Sequence, residues 1–390
     1  MKIGITIDIS RLSLFVSGIN QNAIYLALLL KEGGNDTYLI HVKDQDTKSL
    51  DQTKKLCKKH GLNRLAFNEV SSKKLDVVIS LGVTISDVMA NAWRNKNPNI
   101  KFISYKCGNE FFVDAETYIY KTHQERAASH SKITPVIPDA VWSIPQMENT
   151  NLHYYSFILG TENTTVVPFI WDPMLMEAAL ESNEVSIYDG RKINRIGIME
   201  PNISLMKFCI PPAIIADRVF KNHKDIEIEK LMLIGANGIQ NDLKFKELIG
   251  KMELYKAGKM SADARHATPF ILDKYAHIIV SWQWENPLNY LYLDAAWLGY
   301  AVVHNAHLCK DVGYYYEGFD FENGEEVLYN AMKNHAEDSN YLTEQRKNIT
   351  RYTRMNQNMV KQYNILLQDV VNDEFKRQVY DPLTNSVSPK

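Results

Sequence analysis

The chain has 390 residues, 45% of them hydrophobic and 23% charged, and a formal net charge of −2. This length predicts two globular domains, and the near-neutral charge gives no overall basic field for holding a polyanion. The four cysteines form no CxxC pair and MKIGITIDIS has no signal-peptide core, so we expect a cytoplasmic protein without disulfides, zinc ribbon or membrane span.

The first half of the chain alternates strand-like and helix-like segments. Four apolar segments read as strands: KIGITIDI, TYLIHV, LDVVISLG and KFISYKCGNE. Helical periods follow the first in INQNAIYLALLLKEG and the third in VTISDVMANAWRN. Apolar strands that alternate with helices indicate a parallel sheet covered on both faces.

The same alternation returns in the second half. Strands are predicted at INRIGIME, EKLMLIGA, KMELYKAGK, AHIIVSW and YAVVHN, and helices at PPAIIADRVFKNH, TPFILDKYA and NPLNYLYLDAAWLGY. The sequence thus predicts an α/β protein of two facing, doubly wound Rossmann-like domains. Their predicted bounds are 1–172 and 173–340, followed by helices over 341–371 that pack back on the first domain and a frayed tail over 372–390.

Such an architecture places a ligand crevice at the carboxyl ends of the strands. GT-B glycosyltransferases, some epimerases and two-lobed binding proteins share it, and the fold alone does not choose among them.

One candidate for phosphate binding follows the strand INRIGIME. Asn202 and Ser204 lie in the loop before a helix, where backbone N–H groups and the helix dipole favour an anion, and Lys207 can neutralise a diphosphate. An ordinary strand–turn–helix with an exposed lysine is the alternative. Gly235 and Gly238 after the next strand can admit a ligand, although a tight turn is the better interpretation.

The densest segment is SWQWENPLNYLYLDAAWLGYAVVHN, which follows Arg265 and His266. Pro287 predicts a first helical turn there, with Glu285 at the helix N-terminus. Asp294 lies nine residues after Glu285 and eight after Asn286, among apolar neighbours. A buried acid is uncommon without a partner or a ligand, so Asp294 is a candidate site residue. Lone histidines such as His304 are interpreted as core residues.

This segment resembles the C-terminal signature of retaining GT-B glycosyltransferases, the large family four and its relatives. In that family a first glutamate touches the transferred sugar and a second touches the ribose. The resemblance implies that Asp294 binds the ribose. Because the spacing from Glu285 is one residue longer than in the family, the sugar contact is left open between Glu285 and Asn286.

Further stretches, SGINQNAIYLALLL, CGNEFF and MEPNISLMK, resemble a bacterial and phage family of GT-B type over most of the chain. This resemblance implies that the Lys207 loop takes the donor diphosphate and that Arg265 contacts donor phosphate or base.

The first domain is expected to supply the acceptor site. Its candidate residues lie in two loop–helix segments. The first, with Asp8, Gly18, Asn20, Gln21 and Asn22, can bind acceptor or donor, and the second holds Asn109, Glu110 and Asp114. An inverting enzyme would need a general base, with Asp8, Glu110, Asp114 and His123 as candidates. The resemblance favours a retaining reaction, which in enzymes of the resembled kind needs no fixed base because the donor's leaving phosphate takes the acceptor proton.

The sequence hypothesis is a glycosyltransferase that moves a sugar from a nucleotide-diphosphate sugar, with Lys207, Glu285 and Asp8 as catalytic candidates. No metal or other cofactor is expected, and the acceptor is a surface glycan or a lipid-linked glycan. Alternatives are a transferase acting on hydroxymethylated bases of phage DNA, a non-catalytic nucleotide-sugar-binding protein, and an epimerase. DNA binding would need a local basic face, for which Lys54 to Lys74 is the candidate.

Overall fold

The computed structural model describes residues 1–8, 17–41, 48–121 and 135–390. They form two compact units, one of Met1–Asp172 with Arg351–Lys390 and one of Pro173–Thr350. The second unit is therefore inserted into the first. The predicted loop after KIGITIDI and the candidate base His123 lie outside the described residues, apart from Asp8, Ser17 and Gly18.

Unit 1 is built on a seven-stranded sheet whose paired strands all run parallel. The spatial order is β3-β2-β1-β4-β5-β6-β7. The strands are β1 Lys2–Ile7, β2 Asp36–His41, β3 Asn63–Ala66, β4 Val77–Ser80, β5 Lys101–Lys106, β6 Ala140–Ser143 and β7 Thr164–Val166. Its helices span Gly18–Glu32, Lys48–His60, Val70–Lys73, Asp87–Arg94, Glu110–Tyr120, Glu148–Leu159 and Gln357–Val371.

The helix Gly18–Glu32 lies at the centre of unit 1. It is buried from Asn20 to Leu30, so a nearly continuous apolar run and a few buried amides face the surrounding elements. The helix Gln357–Val371 packs against it, and Asn364 Nδ2 donates to the Gly33 carbonyl at 2.9 Å. Asn35 Nδ2 donates in turn to Asn364 Oδ1 at 2.7 Å, so the returning segment is integral to unit 1.

Unit 2 has a six-stranded parallel sheet in the order β10-β9-β8-β11-β12-β13. The strands are β8 Arg195–Ile198, β9 Lys230–Ile234, β10 Met260–Asp263, β11 Ile278–Val280, β12 Ala301–His304 and β13 Tyr314–Tyr315. Its helices span Met174–Glu181, Ile210–Asn222, Leu243–Ile249, Glu253–Lys256, Thr268–Lys274, Tyr290–Trp297, Phe321–Asn334 and Tyr341–Ile349.

The order of strands identifies a switch point in each sheet. Unit 2 has the doubly wound Rossmann order, in which chain direction across the sheet reverses between β8 and β11. In unit 1 the reversal falls between β1 and β4. The predicted fold class, two Rossmann-like α/β domains, is confirmed.

Several elements differ from the sequence prediction. The predicted strand KMELYKAGK contains the helix Glu253–Lys256, and the strand begins only at Met260. Met252 and Leu254 are both buried, and this alternation with charged neighbours imitates a strand period. The short strands β3, β6, β7 and β13 were not predicted.

The end of the chain also differs in detail from the expected helices and tail. The helix Tyr341–Ile349 belongs to unit 2, where Arg346 Nε donates to the Trp297 carbonyl at 3.0 Å. Residues 372–390 carry an antiparallel hairpin, β14 Gln378–Asp381 and β15 Ser386–Pro389. No helix among the described residues combines the length and apolarity needed to cross a bilayer.

Candidate functional site

A buried carboxylate, Glu200, follows β8 at the switch point of unit 2. Its side chain is buried, and Oε1 accepts a hydrogen bond from Ser281 Oγ at 2.5 Å and one from the Trp282 amide at 3.3 Å. Ser281 Oγ also lies 2.9 Å from Tyr292 OH, and Tyr316 OH donates to the Ser281 carbonyl at 3.0 Å. This network joins the loops that leave β8 and β11, on either side of the crevice.

Charges of both signs meet beside this network. Burial raises the pKa of Glu200, while Lys207 lowers it. Burial lowers the pKa of the half-buried Lys207, the Glu200 carboxylate raises it, and Arg265 lowers it further. Arg265 is exposed and follows β10, so it too lies at the carboxyl edge of the sheet. Lys207 interacts electrostatically with both Arg265 and Glu200.

Asn202 and Gly235 shape the loop after β8. Asn202 has φ +54°, and its Nδ2 donates to the carbonyls of Glu200 at 2.7 Å and Gly235 at 3.3 Å. Its Oδ1 accepts from the Cys209 amide at 2.8 Å. Gly235 has φ +93°, and a Cβ there would lie 2.8 Å from the Glu200 carbonyl. Asn202, predicted to bind phosphate, therefore uses its side chain to hold the loop. Gly235, without a Cβ, allows its backbone to lie close to the Glu200 carbonyl.

The segment between Asn202 and the next helix is a compact turn. The Ser204 carbonyl accepts from the Lys207 amide at 3.2 Å, and Ser204 Oγ accepts from the Met206 amide at 3.3 Å. The helix that follows begins at Ile210. Lys207 thus precedes the N-terminus of a 13-residue helix, Ile210–Asn222, whose dipole favours an anion.

The loop after β11 is held by paired amides. Asn305 Oδ1 accepts from the Gln283 amide and Asn305 Nδ2 donates to the Gln283 carbonyl, both at 2.9 Å. Gln283 Oε1 accepts from the Asn286 amide at 2.8 Å. The Trp284 amide donates to the Met206 carbonyl at 2.9 Å, which joins this loop to the one after β8.

Glu285 lies in this loop and not at a helix N-terminus. The helix begins at Tyr290 with Asn289 as its cap, so Glu285 and Pro287 both precede it, and the predicted first turn at Pro287 is wrong. Glu285 is half-buried with φ +52°, an unusual conformation for a residue with a side chain. Asn286 beside it is buried, and Asp294 is buried within the helix.

Seven of the eight predicted donor residues lie at one edge of the unit 2 sheet. Seven follow the carboxyl end of a strand and the eighth, Asp294, lies on the helix after β11. By strand they are Asn202, Ser204 and Lys207 after β8, Gly235 after β9, Arg265 after β10, and Glu285 and Asn286 after β11. The prediction missed Glu200, although an acid directly after an apolar strand in RIGIME was a readable signal.

In unit 1 the candidate residues divide into two groups. Asp8 follows β1, and Asn20 Nδ2 donates to its carbonyl at 2.5 Å; a Cβ on Gly82 would lie 2.8 Å from the Asp8 amide nitrogen. These residues converge on the switch point between β1 and β4. Gly18 is the exposed first residue of its helix, and Gln21 and Asn22 are buried in it.

The second group makes internal contacts. Asn109 caps its helix by accepting from the Phe112 amide at 3.0 Å and donates to Thr150 Oγ1 at 3.0 Å. Asp114 accepts a hydrogen bond from Tyr154 OH. Glu110 pairs with Lys106 at 2.6 Å. Lys106 and Glu110 line a cavity of about 440 Å³ at the ends of β4 and β5, together with Leu81, Tyr105, Val136 and Leu159.

His304 is a core residue, as interpreted from the sequence. It is fully buried, Nδ1 accepts from the Ala306 amide at 3.0 Å, and Nε2 contacts the Val312 carbonyl at 2.5 Å. Burial lowers its pKa to about 4, so the ring is neutral and Nε2 carries the proton. In the described part of the chain, no three His, Cys, Asp or Glu side chains are grouped so that they could hold a metal ion.

This fold recurs in solved glycosyltransferases. HepE of Anabaena, solved with UDP-glucose, is 11% identical with a TM-score of 0.53, covering 94% of this chain and 100% of that one. S. aureus TarM, solved with UDP and α-GlcNAc-glycerol, is 11% identical with a TM-score of 0.55, covering 94% and 99%. An α-glucosyltransferase solved with UDP and a 13-mer DNA containing an HMU base is 10% identical with a TM-score of 0.56, covering 95% and 99%.

The chain therefore has the two-domain Rossmann-like fold of these glycosyltransferases. Because the sequence identities are only 10–11%, the likeness shows the fold alone. The chain itself belongs to the family DUF2827, described as a protein of unknown function, whose model matches residues 3–367. No curated protein matches the chain.

Proposed function

We propose that this protein is a glycosyltransferase that moves a sugar from a nucleotide-diphosphate sugar to an acceptor hydroxyl. The observation that carries the proposal is the carboxyl edge of the unit 2 sheet. There two cations, a helix N-terminus and two loops joined by hydrogen bonds lie at the switch point where Rossmann folds bind nucleotides.

In this proposal the chain works by positioning and by electrostatic stabilisation. Lys207 and Arg265 neutralise the diphosphate as it leaves the sugar, because charge that develops there meets cations already in place. Asp294 accepts a hydrogen bond from a ribose hydroxyl, and Glu285 or Asn286 accepts one from a hydroxyl of the transferred sugar. We propose a retaining reaction without a metal, in which the leaving phosphate takes the acceptor's proton.

We further propose that unit 1 binds the acceptor near its own switch point, around Asp8, Gly18 and Asn20 and the cavity beside Glu110. We favour a glycan hydroxyl as the acceptor, because the formal net charge of −2 gives the protein no overall basic field for a phosphate backbone. A gel shift with hydroxymethylated DNA at two salt concentrations tests the alternative, because DNA binding must weaken steeply with salt.

The donor assignment is tested by Lys207→Ala, with Lys244→Ala as a control from an exposed position of the same unit. Loss of a charged phosphate contact should weaken binding of UDP-glucose by about 10–100-fold, measured by calorimetry, while the control binds normally. Equal affinity in both variants would contradict a diphosphate site at Lys207.

Product analysis separates the classes of function. A transferase forms a new glycoside only when a hydroxyl acceptor is present, and an epimerase changes UDP-glucose without an acceptor. A protein that only binds nucleotide sugars raises its melting temperature with UDP-glucose and forms no product.

A further inference from the structure

The cavity of about 440 Å³ in unit 1 follows one face of β5. Phe102, Ser104 and Lys106 are alternate residues of this strand and all three line the cavity, so they project from the same face of the sheet. Four residues of strand separate the first from the last, a distance of about 13 Å. The cavity is therefore elongated along the strand, and its volume is within the usual range for small-molecule sites.

The two ends of the cavity differ in polarity. At the start of β5 it is lined by Phe102, Pro138 and Leu159, all of them buried. The Asp139 amide donates to the Phe102 carbonyl at 2.8 Å, which places Pro138 at this end. At the end of β5 the cavity is lined by Lys106 and Glu110, whose side chains pair at 2.6 Å.

The charged end opens at the carboxyl edge of the sheet. Gly108 follows β5 and Ile19 lies in the first turn of the helix after β1, and both are exposed residues of the lining. Asn20, next to Ile19, donates to the Asp8 carbonyl, so the opening adjoins the switch point between β1 and β4. A molecule that enters here has one end at the switch point and the other among buried apolar side chains.

The lining determines what kind of group can occupy the buried end. Among the described lining residues, charged side chains occur only in the pair Lys106 and Glu110, which neutralise each other. Sugar hydroxyls placed against Phe102, Pro138 and Leu159 would lose their hydrogen bonds to water without replacement, which is costly. An apolar chain loses no hydrogen bonds there and gains free energy in proportion to the area that it removes from water.

We propose that the acceptor is an amphiphile, whose reactive hydroxyl lies at the switch point of unit 1 and whose alkyl or prenyl chain occupies this cavity. The inference rests on the proposed function, because it takes unit 1 as the acceptor domain, and it narrows the acceptor to the lipid-linked class. In the transfer, the hydroxyl oxygen bonds to the anomeric carbon as the bond from that carbon to the diphosphate breaks. The hydroxyl proton passes to the leaving phosphate.

The test uses methyl, hexyl and octyl β-glucoside as probes, below the concentrations at which they form micelles. Calorimetry measures their affinity for the full-length protein. We expect the affinity to rise with chain length, by about tenfold from the hexyl to the octyl compound, because two more methylenes leave water.

Ser104 stands midway along the cavity, between Phe102 and Lys106, so bulk at this position should exclude the chain. Ser104→Trp should weaken octyl β-glucoside binding at least tenfold, whereas Ser104→Ala keeps the space open and should bind as the wild type does. Ser104→Leu adds less bulk and should give a smaller loss than Ser104→Trp. Ser339→Trp, at an exposed serine of unit 2, is the matched control and should leave the affinity unchanged. UDP affinity and melting temperature report whether each variant is folded.

The outcomes separate this inference from the proposed function. Octyl β-glucoside that binds no more tightly than the methyl compound overturns the inference, as does equal affinity of Ser104→Trp and the wild type. Either result leaves nucleotide-sugar binding by unit 2 untouched. A wild type that binds octyl β-glucoside as expected but binds no UDP overturns the proposed function, and the acceptor role of the cavity with it.

Discussion

Glycine 235 and glycine 238 look equivalent in the sequence, in a segment that reads as a turn, and the structure separates them. Gly235 has φ +93° and no room for a Cβ beside the Glu200 carbonyl, whereas Gly238 has no atom within 4 Å of its hypothetical Cβ. A positive φ and a close backbone approach are the two conditions that require glycine. Only Gly235, which contacts the loop after β8, meets both conditions.

Gly235→Ala should therefore destabilise the protein by about 1–3 kcal/mol, because the alanine must adopt a strained conformation and displace the Glu200 loop. It should also weaken UDP binding. Urea unfolding and calorimetry measure the two effects, with Gly238→Ala as the control. Equal stability in the two variants would show that the loop gives way without cost.

His304 makes stability depend on pH. Its pKa is lowered to about 4 in the folded protein, against about 6.5 in an unfolded chain. The unfolded state therefore binds more protons in this window, so stability contributed by the neutral ring is complete above pH 6.5 and is lost as pH falls toward 4.

His304→Gln should flatten this dependence. Between pH 7 and pH 5 the wild type should lose about 2 kcal/mol more of its unfolding free energy than the variant. Urea unfolding at the two pH values measures this. A wild type whose stability falls no faster than that of His304→Gln contradicts a buried neutral ring.

At the scale of elements, the conformation of the loop after β11 depends on Asn305, the residue that follows β12. Asn305 is buried, exchanges two hydrogen bonds with the Gln283 backbone, and donates to the Gly318 carbonyl at 2.8 Å. The loop it holds carries Glu285 and Asn286, so the conformation of these residues is set by an amide outside the loop.

Asn305→Ala should cost about 2–4 kcal/mol of unfolding free energy, because it leaves the Gln283 amide and carbonyl buried without partners. UDP-glucose binding should weaken as well if the loop contacts the sugar. The exposed Asn237→Ala is the control, and both variants are compared by urea unfolding and calorimetry. A stability loss as small as the control's would mean that water replaces the amide.

The sequence predicted long apolar strands and their order along the chain well, because a continuous apolar run bounded by glycine is a strong signal. It failed for KMELYKAGK, where the buried residues Met252 and Leu254 imitate the alternation of a strand, and for the short strands β3, β6, β7 and β13. Residue type alone does not show that the side-chain amide of Asn202 has three backbone partners, so its role in holding the loop could not be predicted from the sequence. Glu200 was missed because its importance lies in contacts with Ser281, 81 residues away.

At the scale of the whole molecule, the two units differ in how the chain builds them. Unit 2 is continuous from Pro173 to Thr350 and contains every strand of its sheet. Unit 1 needs Arg351–Lys390 as well, since the helix Gln357–Val371 contacts its central helix and Asn385 Nδ2 donates to the Phe169 carbonyl at 2.9 Å.

A fragment of residues 173–350 should therefore fold cooperatively and retain UDP binding, whereas a fragment of residues 1–172 should not reach a cooperative fold. Circular dichroism during urea titration measures cooperativity, and adding a peptide of residues 351–390 to the second fragment should increase its order. A stable, cooperative 1–172 fragment would contradict the role given to the returning segment.

The insertion also has a consequence for the order of events on the ribosome. Residues 1–172 of unit 1 precede unit 2 in the chain, but the helix and hairpin that complete unit 1 emerge only with residues 351–390, when unit 2 can already be complete. The part of the protein proposed to hold the nucleotide would thus be ready during synthesis, and the part proposed to hold the acceptor would mature last.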